Sequence, residues 1–137
     1  MNTIFSAMFL LVAPLWLAMI FAPHWRGTRW LLAGPFVVLP IALTYAVLVA
    51  PRLPELLPML LRPELEPIAA LLGTTTGATI AWAHFLAFDV FVGRWVYLDA
   101  RERGISAWIV SPILFVVLMF GPLGFALYLG VRALRAR

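Results

Sequence analysis

The sequence predicts an all-α integral membrane protein, a bundle of four transmembrane helices, and three observations predict it. Hydrophobic residues make up 64% of the 137 positions and charged ones only 12%. Mean hydropathy is +1.02. The apolar residues also gather into four blocks, 4–22, 31–50, 77–98 and 112–131. A soluble domain carries about twice that share of charge, and each block has close to the ~20 residues a helix needs to cross a ~30 Å hydrocarbon core. Backbone groups in lipid must be satisfied within their own segment, which favours helices over open strands. The length allows a single domain, 1–137.

Taken in order, the first block has no basic stretch before it, and its apolar run from Ile4 to Phe21 is longer than an ordinary secretory core, so it is expected to be an uncleaved first crossing. "PHWRGTRW" follows, a turn whose tryptophans and arginines suit the headgroup level. After the second block comes "PRLPELLPMLLRPELEP", residues 51–67, in which five prolines stand among leucines with Glu55, Arg62, Glu64 and Glu66. Prolines prevent a long regular helix, and the leucines are unsuited to water. One or two short interfacial or re-entrant helices between helices 2 and 3 are therefore expected. "EPIAALLG" supplies one, stopped at Gly73, and "GTTTG" at 73–77 is a flexible or capping segment. Pro14, Pro35, Pro40, Pro112 and Pro122 lie inside the blocks and predict bent helices.

The net charge of +4 comes from ten arginines and no lysine. They are scattered over helix ends and loops, which disfavours nucleic-acid binding and makes anionic lipid headgroups the natural partners. Cysteine is absent, excluding disulfides, thiolate metal sites and cysteine nucleophiles. His24 is far from the other histidine, and there is no phosphate-cradling glycine loop, serine elbow or dinucleotide fingerprint, so no metal and no cofactor is expected. Four crossings would put both termini on one side. Arg132, Arg135 and Arg137 favour the cytoplasm, Arg26, Arg29, Arg101 and Arg103 oppose them, and although the counts nearly cancel the termini are expected on the cytoplasmic side.

The third block contains "AHFLAFDVFVGRW", with His84, Asp89 and Arg94 in otherwise apolar surroundings. A charge near the bilayer centre costs roughly 2.5–3.5 kcal/mol on insertion scales, so an ionisable residue there marks a candidate site. At 100° per residue His84 shares a face with Phe88, Phe91 and Trp95, and Asp89 with Trp82, Phe85, Gly93 and Val96. Spacings of five keep the three from pairing within the helix, so their partners must come from elsewhere. The plainer readings are an interhelical hydrogen bond for His84, an ion pair for Asp89, and for Arg94 an interfacial anchor or counter-ion to Asp99 or Glu102. The aromatic residues serve as packing, or as the lining of a ligand cavity: Trp82, Phe85, Phe88 and Trp95.

"TIAWAHFLAFDVFVGRWVYLDARERGISAW" and "SPILFVVLMFGPLGFALYLG" resemble the two signature regions of the abscisic-acid-deficient-four-like family, small integral membrane proteins of plastids, cyanobacteria and other bacteria. The resemblance carries His84, Asp89 and Arg94, the turn Tyr97–Asp99 and the step Gly121–Pro122. The plant relatives are implicated in forming neoxanthin from violaxanthin, in which an epoxide opens and an allene forms. The resemblance thus implies a carotenoid or related isoprenoid substrate that arrives through the lipid phase. Without a plastid transit segment the chain reads as bacterial, in the inner membrane.

An epoxide-to-allene isomerisation needs a base on the polyene and an acid on the opening oxygen. Asp89 is the expected acid/base residue, His84 its complement, and Arg94 the stabiliser of a developing oxyanion. Two alternatives remain, a non-catalytic carotenoid- or lipid-binding subunit and a small proton-coupled transporter with Asp89 as relay. "GPLGFALYLG", with Gly121 and Gly124, offers close backbone approach for a homo-oligomer.

Overall fold

The computed structural model describes residues 1–135; Arg137 lies outside them. The elements are α1 (Asn2–Phe21), α2 (Arg26–Ala33), α3 (Leu39–Val49), α4 (Leu53–Leu61), α5 (Leu65–Leu72), α6 (Thr75–Glu102) and α7 (Ala107–Arg135), with 3-10 turns at Pro35–Val38 and Ala50–Arg52. Four stretches among the described residues are long and apolar enough to cross a membrane: Asn2–Phe21, Pro35–Leu61, Thr75–Glu102 and Ala107–Arg135. Leu10, Phe21, Val47, Leu61 and many other large apolar side chains face outward, as suits a surface solvated by lipid.

α6 is the axis. Phe5 stacks on Trp82, the Trp16 ring lies on Gly93, and the Tyr97 hydroxyl donates to the Pro23 carbonyl at 2.7 Å. These three contacts climb both chains together, so α1 and α6 are parallel. Met8, Val12, Leu15, Trp16 and Met19 recur at helical spacing and form α1's share of the core. α3 runs the other way, from Ala33 beside Arg94 to Tyr45 edge-on to His84.

The second predicted block begins late. Gly34–Pro35 separates the short α2 from α3, because proline disfavours helix in the residue before it. Beyond α3 the proline-rich stretch folds into α4 and α5, with Pro54 in the first turn of α4 where no amide is needed. The Thr74 hydroxyl accepts from the Gly77 amide at 2.9 Å and caps α6. Gly77 lies so close under the Leu71 carbonyl that a β-carbon would collide with it.

The last block departs most from expectation. Phe120 has φ −142° and ψ 50°, outside the helical region, and α7 breaks there into limbs 107–119 and 121–135. Gly124 packs on the Val117 backbone, although residues seven apart in a continuous helix stand about 10 Å apart. Tyr128 and Arg132 then reach Asp99, three residues before the end of α6, where the first limb departs. α7 is therefore a helical hairpin with both ends at one end of the bundle. The sequence expectation of a fourth, bent crossing with termini on the same side is corrected: the last element turns back, and Asn2 and Arg135 stand at opposite ends.

Candidate functional site

Asp89 lies at the midpoint of α6 and is half-buried. The tip of the α7 hairpin lies against the carboxylate. Asp89 Oδ1 abuts Gly121, in space a β-carbon would occupy. Phe120 leaves the helical region and Pro122 has no amide to donate, so the regular helical hydrogen bonding is interrupted beside the carboxylate. Exposed apolar groups stand on either side of this contact. Phe85, one turn before Asp89, is 56% exposed, and Phe120, next to Gly121, is 64% exposed. The Asp89 carboxylate forms no hydrogen bond or ion pair with the described residues.

The structure does not bring the three predicted ionisable residues together. Arg94 points to the α2 side, where Nε donates to the Leu32 carbonyl at 2.8 Å and Nη2 to the Ala33 carbonyl at 2.9 Å. These are carbonyls at the end of α2, left without helical donors, and a guanidinium satisfies them well. One of the plainer readings of Arg94, a counter-ion to Asp99 or Glu102, gives way to this clamp. His84 is exposed on the flank facing α3, its ring 4.8 Å from that of Phe88 and 5.6 Å from that of Tyr45. Five residues place it about 140° around the helix from Asp89.

Among the aromatic residues predicted to hold substrate, Trp82 stacks on Phe5 with ring centroids 5.3 Å apart. Its Nε1 is buried without a partner, as is Nε1 of Trp16. Phe85 and Phe88 are exposed. Trp95 is engaged in packing: Phe125 and Tyr128 meet it edge-on, and the Arg132 guanidinium lies over its face at 5.7 Å. Among the described residues no three His, Asp or Glu side chains converge as metal ligands would.

Asp99 is the hub of a network the sequence reading left out. It accepts from Tyr128 Oη at 2.5 Å, Arg103 Nε at 2.9 Å and Arg132 Nε at 2.9 Å. This network ties the second limb to α6 and so holds the tip over Asp89. The signal that could have found the hairpin was "FGPLG", a glycine–proline pair of the kind that marks turns. Gly121 and Gly124, expected to serve an oligomer contact, are buried against Asp89 and Val117 of their own chain.

A groove of about 820 Å³ lies elsewhere, between the end of α1 and the first limb, lined by Phe21, Trp108 and Phe115 with His24 and Ser111 as its polar members. A cleft of about 30 Å³ beside it is lined by Tyr97 and Arg101. Neither lining includes His84, Asp89 or Arg94.

A family profile described as ABA DEFICIENT 4-like matches residues 3–128. No curated protein and no solved structure is significantly similar to the chain.

Proposed function

The chain belongs to the ABA DEFICIENT 4-like family, and from that premise we propose that it acts on a carotenoid or related isoprenoid within the bilayer, with Asp89 as the group that moves the proton. Membership associates the protein with carotenoid-related, neoxanthin-linked function. The observation that carries the rest is the Asp89 carboxylate, at the midpoint of an apolar helix, without a hydrogen-bond partner among the described residues and against the tip of a broken helix. Irregular backbone at mid-depth is tolerated in membranes where it is buried in protein or lines a cavity, and an ionisable residue there is costly unless used.

The chemistry is an isomerisation. A carbon of the polyene loses a proton, the epoxide C–O bond breaks, the electron pair left by the proton forms the new double bond, and the oxygen takes up a proton. Atoms and electrons balance with no redox partner. A single carboxylate can do both transfers, taking the proton as a base and returning it as an acid. Phe85 and Phe120 give an apolar ligand a lateral approach from the lipid phase. Trp82, two turns before Asp89 on its side of α6, continues that apolar face with its ring stacked on Phe5. Arg94 and His84 act here by positioning, Arg94 through its hold on α2 and His84 through the aromatic contacts of α3.

Pigment chromatography in a host that makes epoxidised carotenoids, with and without this chain, tests the reading. A new pigment is expected with the wild-type chain, and a loss of about 100-fold or more in Asp89→Asn. If Asp89→Asn, shown to be folded and membrane-inserted, keeps full conversion, the catalytic reading fails. The groove of about 820 Å³ favours a second reading, a binding subunit, because a pigment seated along Phe21 and Phe115 would lie away from Asp89. Purified protein would then carry pigment and leave it chemically unchanged.

A further inference from the structure

The hairpin changes which charges share an end of the bundle. Arg132 and Arg135 end the returning limb and stand with Arg101 and Arg103, which end α6. Arg26 and Arg29 of α2 are at the same end, since Tyr97 and Arg101 both hold the Pro23 carbonyl just before that helix. Among the described residues only Asp99 and Glu102 oppose these six arginines. Asp99 is already shared between Arg103 and Arg132, so the end as a whole keeps a surplus of positive charge. At the other end Arg52, Arg62 and the Met1 amine balance Glu55, Glu64 and Glu66. Trp25, Trp30 and Trp108 stand at the arginine end with 65%, 81% and 91% exposure, the arrangement indole side chains adopt at headgroup level.

We propose that the arginine end of the bundle is seated among anionic lipid headgroups of the cytoplasmic leaflet, and that residues 107–135 enter and leave the bilayer from that side as a re-entrant hairpin. The surplus cations are those that flanking segments on the cytoplasmic side carry, and anionic lipid is their complementary surface. The tip stops at mid-depth, because Gly121 abuts Asp89 at the midpoint of α6. A first limb of 13 residues rises about 20 Å, short of a ~30 Å core. Residue 2 then lies on the opposite side of the membrane. This seating is independent of which lipid-phase molecule reaches Asp89.

The chain contains no cysteine, so single substitutions Asn2→Cys, Glu64→Cys, Glu102→Cys and Arg135→Cys each report one position. They would be labelled with a membrane-impermeant maleimide in right-side-out and inverted vesicles from a bacterial expression host. Positions 102 and 135 are expected to react in inverted vesicles, and positions 2 and 64 in right-side-out ones. Reaction of 102 and 135 from opposite sides would overturn the re-entrant hairpin, and reaction of both from outside would overturn the orientation. Combining Arg26→Gln, Arg29→Gln and Arg135→Gln removes charge without touching the Asp99 network. Labelling at position 102 from both sides is then expected, and one-sided cytoplasmic labelling as strong as in the parent would overturn charge as the cause of the seating.

Discussion

Gly121 has no side chain, and the Asp89 carboxylate occupies the space one would fill. Gly121→Ala should therefore push the carboxylate aside or open the tip, a form of overpacking that costs about 1–3 kcal/mol. A lower melting temperature in detergent and a matching loss of pigment conversion are the expected readouts. Gly93 is a parallel case, since a β-carbon there would enter the Trp16 ring, yet that substitution should lower stability without a specific effect on Asp89 chemistry. Arg94 is legible in the sequence as a misplaced charge, but its partners are two backbone carbonyls more than sixty residues away, which no side-chain pattern announces. Arg94→Gln should leave carbonyls at the end of α2 short of donors and destabilise the fold by about 1–3 kcal/mol, measured by circular-dichroism melting. His84 was equally visible as an oddity. Its exposure on the α3 flank follows from where α3 docks.

The elements show why hydropathy alone reads the last block as a crossing. Apolar length is the same for a straight span and for a hairpin of two half-depth limbs, and both bury backbone polar groups in helices. What distinguishes them is the break at Phe120 and the return of Tyr128 and Arg132 to Asp99. Asp99→Asn should weaken that return. The ion pairs are partly exposed, so screening keeps the expected loss to about 1 kcal/mol. Faster tryptic cleavage at Arg132 and Arg135 than at Arg26 would show the second limb loosening first. Equal acceleration at all three sites would mean global destabilisation instead. In the proline-rich stretch the local rules were sufficient only in part: Pro58 sits inside α4, which continues the second apolar span Pro35–Leu61 past the expected end at residue 50, and the chain breaks only at 62–64 before α5, while Thr74 caps the helix that follows.

At the scale of the molecule, three helices run along one axis while a hairpin covers the centre of α6 from one end. This arrangement sorts the arginines, which in a four-crossing layout almost cancel, into a strongly basic end and one where acidic and basic groups balance. It also separates two places where an apolar molecule can meet polar groups, the carboxylate under the tip and the groove beside His24 and Ser111. Combining Asp89→Asn with a groove substitution, Ser111→Phe, tests whether they serve one ligand. Loss of bound pigment in Ser111→Phe alone, with retention in Asp89→Asn, would assign binding to the groove and chemistry to the tip.

Composition and block lengths by themselves determined the all-helical class with long apolar helices of membrane-spanning length, because apolar length and the need to satisfy backbone groups act within each segment. The same local reasoning picked out Asp89 as anomalous, since a charge in an apolar helix is costly wherever its neighbours are. Only the tertiary structure decided that the last segment turns back at Phe120, that Arg94 clamps α2, and that Asp89 stands apart from His84 beneath a helix tip. Those outcomes depend on contacts between residues far apart in the chain, where the fit of Gly121 to Asp89 and of Tyr128 to Asp99 selects one arrangement among several that the hydrophobic pattern permits equally.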